Sequence, residues 1–350
     1  MLHKINFLEK PNILIYVIFL SSIFLFINTI SNILVNNYFN HNHSDQIVGN
    51  SSKQEIFHAS YRNSKDDQAY LLANKYDCKI NNNLDERQHL RWVFKYIWKK
   101  AYDFTVGYFG EKKIVFDLYK LLIAIFIFSS YLCIISLFDR KKYFKKIILP
   151  ITSFFLIILL LSASSHISEI NFSILEFFFI SLSFFLILKK KFFPLIFLCI
   201  LAPLNRETGF ILPIIYLIIY PSELKRFLFL ATISVAVYFL VNASPIQCIF
   251  TPGFLFTTNP TYDSFSDFSF ISKLKILFQD YFLYIVILVL FWNQNILQKK
   301  LLIIFSIYFI AFIVGTPFQH SILRILLIPT IMLYICYGID HTLKVGNYEK

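Results

Sequence analysis

Charge is what this sequence has least of: Asp, Glu, Lys and Arg make up 15% of its 350 residues, against 57% hydrophobic. A soluble domain of that size could not cover its surface with so few polar groups, so the composition argues against one. Glycine is scarce, with 8 residues, and no GxxxG pattern for close helix approach occurs. The 5 cysteines include no CxxC and no His/Cys grouping with zinc spacing. No convincing internal repeat is present, which disfavours an inverted-repeat transporter. The first apolar run, 12–35, lacks a small-x-small cleavage site and is too long for the core of a signal peptide, so a retained signal anchor is expected.

What the chain does have is long apolar runs, 42 phenylalanines and a mean hydropathy of +0.61. The expected fold class is all-α, a polytopic integral membrane protein of about ten membrane segments with one large exoplasmic loop. The net charge of +12 would point to nucleic acid in a soluble protein. Here the lysines cluster at the ends of apolar segments and read as topology determinants, so no nucleic-acid partner is expected and the lipid bilayer is.

One stretch, residues 192–221, decides the topology. Two apolar runs, 192–204 and 210–220, flank the polar knot Asn205, Arg206, Glu207 and Thr208. A span needs roughly 20 apolar residues, and each run alone is shorter. As one helix, the stretch would put Arg206 and Glu207 near mid-bilayer, where a charge costs several kcal/mol. As a helical hairpin, its tip sinks below one membrane surface. The hairpin places the lysine clusters at 139–146, 189–191, 225–226 and 299–300 on one side, together with both termini. The expected division is a first span at 12–35, an exoplasmic loop with surface helices at 36–113, a membrane bundle over 114–338 and a cytoplasmic tail at 339–350. Within the bundle the spans are expected at 114–138, 147–163, 172–188, the hairpin, 227–242, 274–291, 301–316 and 322–338. The location fitting this pattern is a bacterial inner membrane, with both termini cytoplasmic. Cys133, Cys199 and Cys336 then fall within spans. Cys78 and Cys248 fall in outer loops, where a disulfide and two free thiols remain open.

Polar residues at membrane depth divide between the faces, and the outer face collects those suited to chemistry. Arg206 suits a phosphate, because its fork donates two hydrogen bonds and stays charged when desolvated. Glu207, about 100° from it on a helix, addresses a different partner. Asn205 completes the knot. His166 and Glu169 share a helical face that Glu176 continues, and Glu176, deeper in its span, needs a buried partner, with Lys120 as one choice. His320 and Arg324, spaced i and i+4, form a second cationic grip. Against these stand bland readings: helix-end hydrogen bonding, loop solvation and snorkelling to headgroups. In the long loop, Asp66 and Asp67 precede a short apolar helix beginning near Tyr70. They read either as a cap or as a general base for an acceptor hydroxyl, with a divalent cation between carboxylates as a further option. Asp85 and Glu86 are a second pair, on what reads as an amphipathic surface helix.

The first span, the large exoplasmic loop with an acidic pair followed by tyrosine (Asp66, Asp67, Tyr70) and the many later spans resemble the GT-C superfamily of membrane glycosyltransferases. The segment 204–213, LNRETGFILP, also resembles one found in small bacterial membrane proteins of this type. The acidic pair stands later after the first span than is usual, and these 350 residues hold no counterpart of the soluble C-terminal domain of many members. The resemblance implies inverting transfer of a sugar from a polyprenyl-phosphate donor to a glycan or lipid acceptor on the exoplasmic face. It gives Asp66 or Asp67 the role of base or metal ligand, and Arg206, with Arg324 or His320, that of neutralising the departing lipid phosphate. Three rival readings stand beside it: a surface-glycan polymerase, a transporter or flippase of a lipid-linked or anionic substrate, and a non-catalytic scaffold.

Overall fold

The computed structural model describes residues 18–27, 112–138, 171–241, 285–292, 295–315 and 327–345, with isolated positions 93, 97, 100, 150, 152–154 and 156. At 112–120, 171–173, 207, 310–315 and 342–345 the description is of backbone alone. All regular structure among these residues is helical. The helices are α1 (Ile18–Ile27), α2 (Lys112–Ile135), α3 (Asn171–Leu188), α4 (Phe192–Asn205), α5 (Ile211–Ile219), α6 (Leu224–Val241), α7 (Ile296–Gly315) and α8 (Ile328–Val345). A 3-10 turn, Glu207–Phe210, joins α4 to α5.

Unbroken runs of Ile, Leu and Phe with the few prolines confined to helix ends make these helices, since such residues disrupt no i to i−4 bond. Pro194 and Pro329 stand in the first turns of α4 and α8, where the missing N–H has no partner to lose. Buried serines return their hydroxyls to their own helix: Ser181 donates to the Phe177 carbonyl at 2.9 Å and Ser183 to that of Ile180 at 2.7 Å. That habit suits helices with apolar neighbours, which offer no other acceptor.

Helix α3 is the centre. It packs against α2 on one side and α4 on the other, and also touches α5 and α8. Ile174, Leu175, Ile180, Phe184 and Ile187 are buried along it. Helix α2 receives α1 through the Phe19 ring, 5.6 Å from Phe128 and 5.7 Å from Tyr131. Helices α7 and α8 pair, joined by the buried Gln298, whose Nε2 donates to the carbonyls of Tyr334 and Phe291, each at 2.9 Å. A Cβ at Gly338 would stand 2.3 Å from that nitrogen, so a larger residue there would push the Gln298 amide out of its place.

The helices begin and end differently from the apolar runs. Helix α6 starts at Leu224 and carries Lys225 and Arg226 in its first turn, and α7 starts at Ile296, taking in Lys299 and Lys300. Asn295 caps the start of α7, its Oδ1 accepting the Leu297 N–H at 3.0 Å. Hydropathy marks where residues turn apolar, whereas the cap decides where the helix begins. Among the described residues, α6 is the one helix both long and apolar enough to cross a membrane by itself.

Candidate functional site

The site is built on the break between α4 and α5. Pro203, near the end of α4, has no N–H for the Cys199 carbonyl. Ser234 of α6 supplies the substitute, its hydroxyl lying 2.7 Å from that carbonyl and 2.7 Å from Leu230's. The helix closes with Arg206 N–H on the Ala202 carbonyl at 3.0 Å, and Arg206 itself is extended (φ −161, ψ 143). The Gly209 N–H then returns to the Arg206 carbonyl at 2.8 Å, and the chain doubles back. Only glycine fits at 209, since a Cβ would meet Ala202 C at 2.3 Å and Pro203 N at 2.5 Å, both backbone atoms that cannot move aside. The returning helix α5 brings the Tyr216 ring to 6.0 Å from Phe192, where α4 began. Helices α4 and α5 therefore form an antiparallel hairpin with residues 205–210 at its tip.

At the tip, the buried carboxylate of Glu176 on α3, 1% exposed, gathers the polar groups. Thr208 donates its hydroxyl to Glu176 Oε1, and Arg206 Nη1 stands 3.5 Å from Glu176 Oε2. The Arg206 side chain is 14% exposed and so reaches the surface of the cluster. Its separation from the carboxylate is longer than the roughly 2.7–2.9 Å of a tight charge-assisted hydrogen bond. Asn205 is fully buried beside it. The phenol of Tyr308, from α7, is buried and within electrostatic reach of Glu176. Two elements distant in sequence, α3 and the hairpin tip, thus meet around one carboxylate.

Of the expected site residues, Asn205 and Arg206 are described in full and belong to this cluster, and Glu207 is described by its backbone in the 3-10 turn. Asp66, Asp67, Tyr70, His166, Glu169, His320 and Arg324 lie outside the described residues, as do Cys78 and Cys248. Cys133, Cys199 and Cys336 are free thiols. Glu176 has its partners in the hairpin tip; the side chain of Lys120 lies outside the description. Sequence reasoning passed over Thr208 as a partner and Tyr308 altogether. A phenol inside the apolar run 301–316 was the available signal, because a buried tyrosine hydroxyl needs a polar neighbour. Among the described residues no three His, Cys, Asp or Glu side chains stand together as a metal site.

Chemically, the cluster is a cation held at a helix break by a buried counter-charge. Such an arginine meets an anion arriving from the tip without first moving into place, because Glu176 and the turn already fix its position. No protein-family model matches the chain, and neither a curated protein nor a solved structure matches it.

Proposed function

We propose that this chain is a polytopic membrane glycosyltransferase that moves a sugar from a polyprenyl-phosphate donor to a cell-envelope acceptor on the exoplasmic face. The observation that carries the reading is Arg206, held at the hairpin tip beside the buried carboxylate of Glu176, which Thr208 also engages. An uncompensated charge there costs several kcal/mol, so a retained pair with one exposed edge marks a binding position. Membrane embedding is supported by α6, which buries Leu230, Ser234 and Tyr238 in one stripe and exposes Leu228, Phe229, Phe239 and Leu240 elsewhere. Water disfavours so much apolar surface, while lipid does not.

In this reading the donor's prenyl chain lies against the helices and its phosphate meets Arg206, with His320 and Arg324 as the second grip. The acceptor hydroxyl oxygen attacks the anomeric carbon from the face opposite the phosphate. Its proton passes to Asp66 or Asp67, and the bond from the anomeric carbon to the phosphate oxygen breaks with inversion. The electron pair leaves on the polyprenyl phosphate, whose added negative charge Arg206 stabilises. Asn205, Glu207, His166, Glu169 and Tyr70 are assigned to sugar and phosphate contacts.

Native mass spectrometry of the gently extracted protein tests this. Wild type is expected to retain polyprenyl phosphate or its hexose conjugate. Arg206→Ala is expected to lose it, and Arg206→Lys to hold it more weakly, because lysine keeps the charge but not the fork. Retention of ordinary phospholipid alone, unchanged by either substitution, overturns the reading. A transporter then leads, since a polar break between two short helices is also how carriers hold ions.

A further inference from the structure

The opposite end of the same hairpin has a different chemistry. Glu176 in the second turn of α3 and Lys189 just past its last residue are about 20 Å apart at the 1.5 Å rise of a helix. At the Lys189 end, α3 closes with the Lys190 N–H on the Ile187 carbonyl (2.9 Å) and the Lys191 N–H on that of Leu186 (2.7 Å). Lys190 takes the left-handed conformation (φ 55) that this closure demands and that glycine usually fills. Its Nζ stands 5.9 Å from the Tyr220 ring centre, and the Tyr220 hydroxyl donates to the Ile187 carbonyl at 3.1 Å. Across the hairpin foot, Arg226 lies 5.1 Å over the Phe192 ring, with Nη1 2.7 Å from Glu223 Oε2. Lys300 donates to the Ile219 carbonyl at 2.6 Å, drawing α7 into the same corner.

The Tyr216 hydroxyl, then Arg226, hold the Glu223 carboxyl of this corner below the usual carboxylate range. It stays ionised and offsets one of the positive charges; Lys189, Lys190, Lys191 and Lys225 remain exposed. Directly beside them are exposed apolar side chains: Phe193 (70% exposed) and Phe197 on α4, and Leu228 and Phe229 on α6. Phe193 and Phe197 stack edge to face at 5.3 Å, forming one apolar strip that leads away from the cations. A cationic corner continuous with an exposed apolar strip matches a molecule with an anionic head and hydrocarbon tails, and neither a free anion nor an acidic peptide uses both halves.

We propose that the foot of the α4–α5 hairpin binds one anionic phospholipid, its phosphate between Lys190 and Arg226 and an acyl chain along Phe193 and Phe197. The site rests on the chain being membrane-embedded and is independent of sugar transfer. It anchors the foot of the hairpin on one face while the tip works at the other.

The test is native mass spectrometry of the full-length protein in detergent, titrated with phosphatidylglycerol or phosphatidylcholine. A single phosphatidylglycerol adduct is expected, about tenfold weaker in the Lys190→Gln, Arg226→Gln double variant, a loss on the order of 1.4 kcal/mol. The Lys344→Gln, Lys350→Gln pair removes the same charge from the C-terminal residues and is expected to leave the adduct unchanged. Should the double variant not fold, wild type still decides: its preference for phosphatidylglycerol is expected to fall several-fold when salt rises from about 0.1 to 0.5 M. Equal retention of both lipids, equal weakening by the tail pair, or displacement by equimolar inorganic phosphate overturns the site. A chain that stays in solution without detergent overturns the membrane reading itself, whereas one that needs detergent but shows no lipid preference overturns only this inference.

Discussion

Glu176 is the residue on which the cluster turns. A carboxylate 1% exposed among Ile174, Leu175 and Phe177 is tolerable only while Arg206 and Thr208 face it. Removing one member of such a pair leaves a stranded charge, at a cost of about 3–5 kcal/mol, whereas replacing both with apolar residues of similar size is close to neutral. Arg206→Met and Glu176→Met are therefore expected each to lower stability markedly, and the double variant to recover most of the loss. Thermal unfolding in detergent measures this cycle, and losses that simply add would show that the two side chains are not coupled. The recovered double variant should still fail to bind the polyprenyl-phosphate donor, which separates the pair's part in stability from its part in binding.

The hairpin shows how one proline is accommodated by a neighbouring helix. Pro203 frees the Cys199 carbonyl, and Ser234 fills the vacancy at 2.7 Å. Ser234→Ala is expected to cost about 1 kcal/mol in the natural chain. In a Pro203→Ala background the restored N–H serves the same carbonyl, so the second loss is expected to shrink. Denaturant unfolding of the four proteins tests it, and an undiminished loss would mean that Ser234 acts only through Leu230. Much of this element was readable in advance: four polar residues between two short apolar runs announced a break, and the lysine clusters required the chain to turn back. The partner of Arg206 was not readable, because Glu176 reaches it through the packing of α3 on α4, which no local pattern encodes. Nor was the start of α7, where the Asn295 cap rather than hydropathy sets the boundary. The acidic pair Asp66 and Asp67 and the second grip, His320 and Arg324, lie outside the described residues, so their roles rest on the resemblance and on spacing.

Taken whole, the described helices form a bundle with two chemically opposed ends. One holds an arginine and a glutamate at a helix break, and the other gathers Lys190 over Tyr220 and Lys300 on the Ile219 carbonyl. Between them, α6 turns large apolar side chains outward, with Leu240 78% exposed. In the proposed topology the hairpin tip faces the exoplasm and its foot the cytoplasm. Cysteine labelling in intact cells tests it most directly. In a background with Cys78 and Cys248 replaced by serine, Glu207→Cys at the tip and Lys225→Cys at the foot are treated separately with a membrane-impermeant maleimide. The account predicts that Glu207→Cys is labelled in intact cells and Lys225→Cys only after permeabilisation. Labelling of both from outside, or of Lys225→Cys alone, would contradict it.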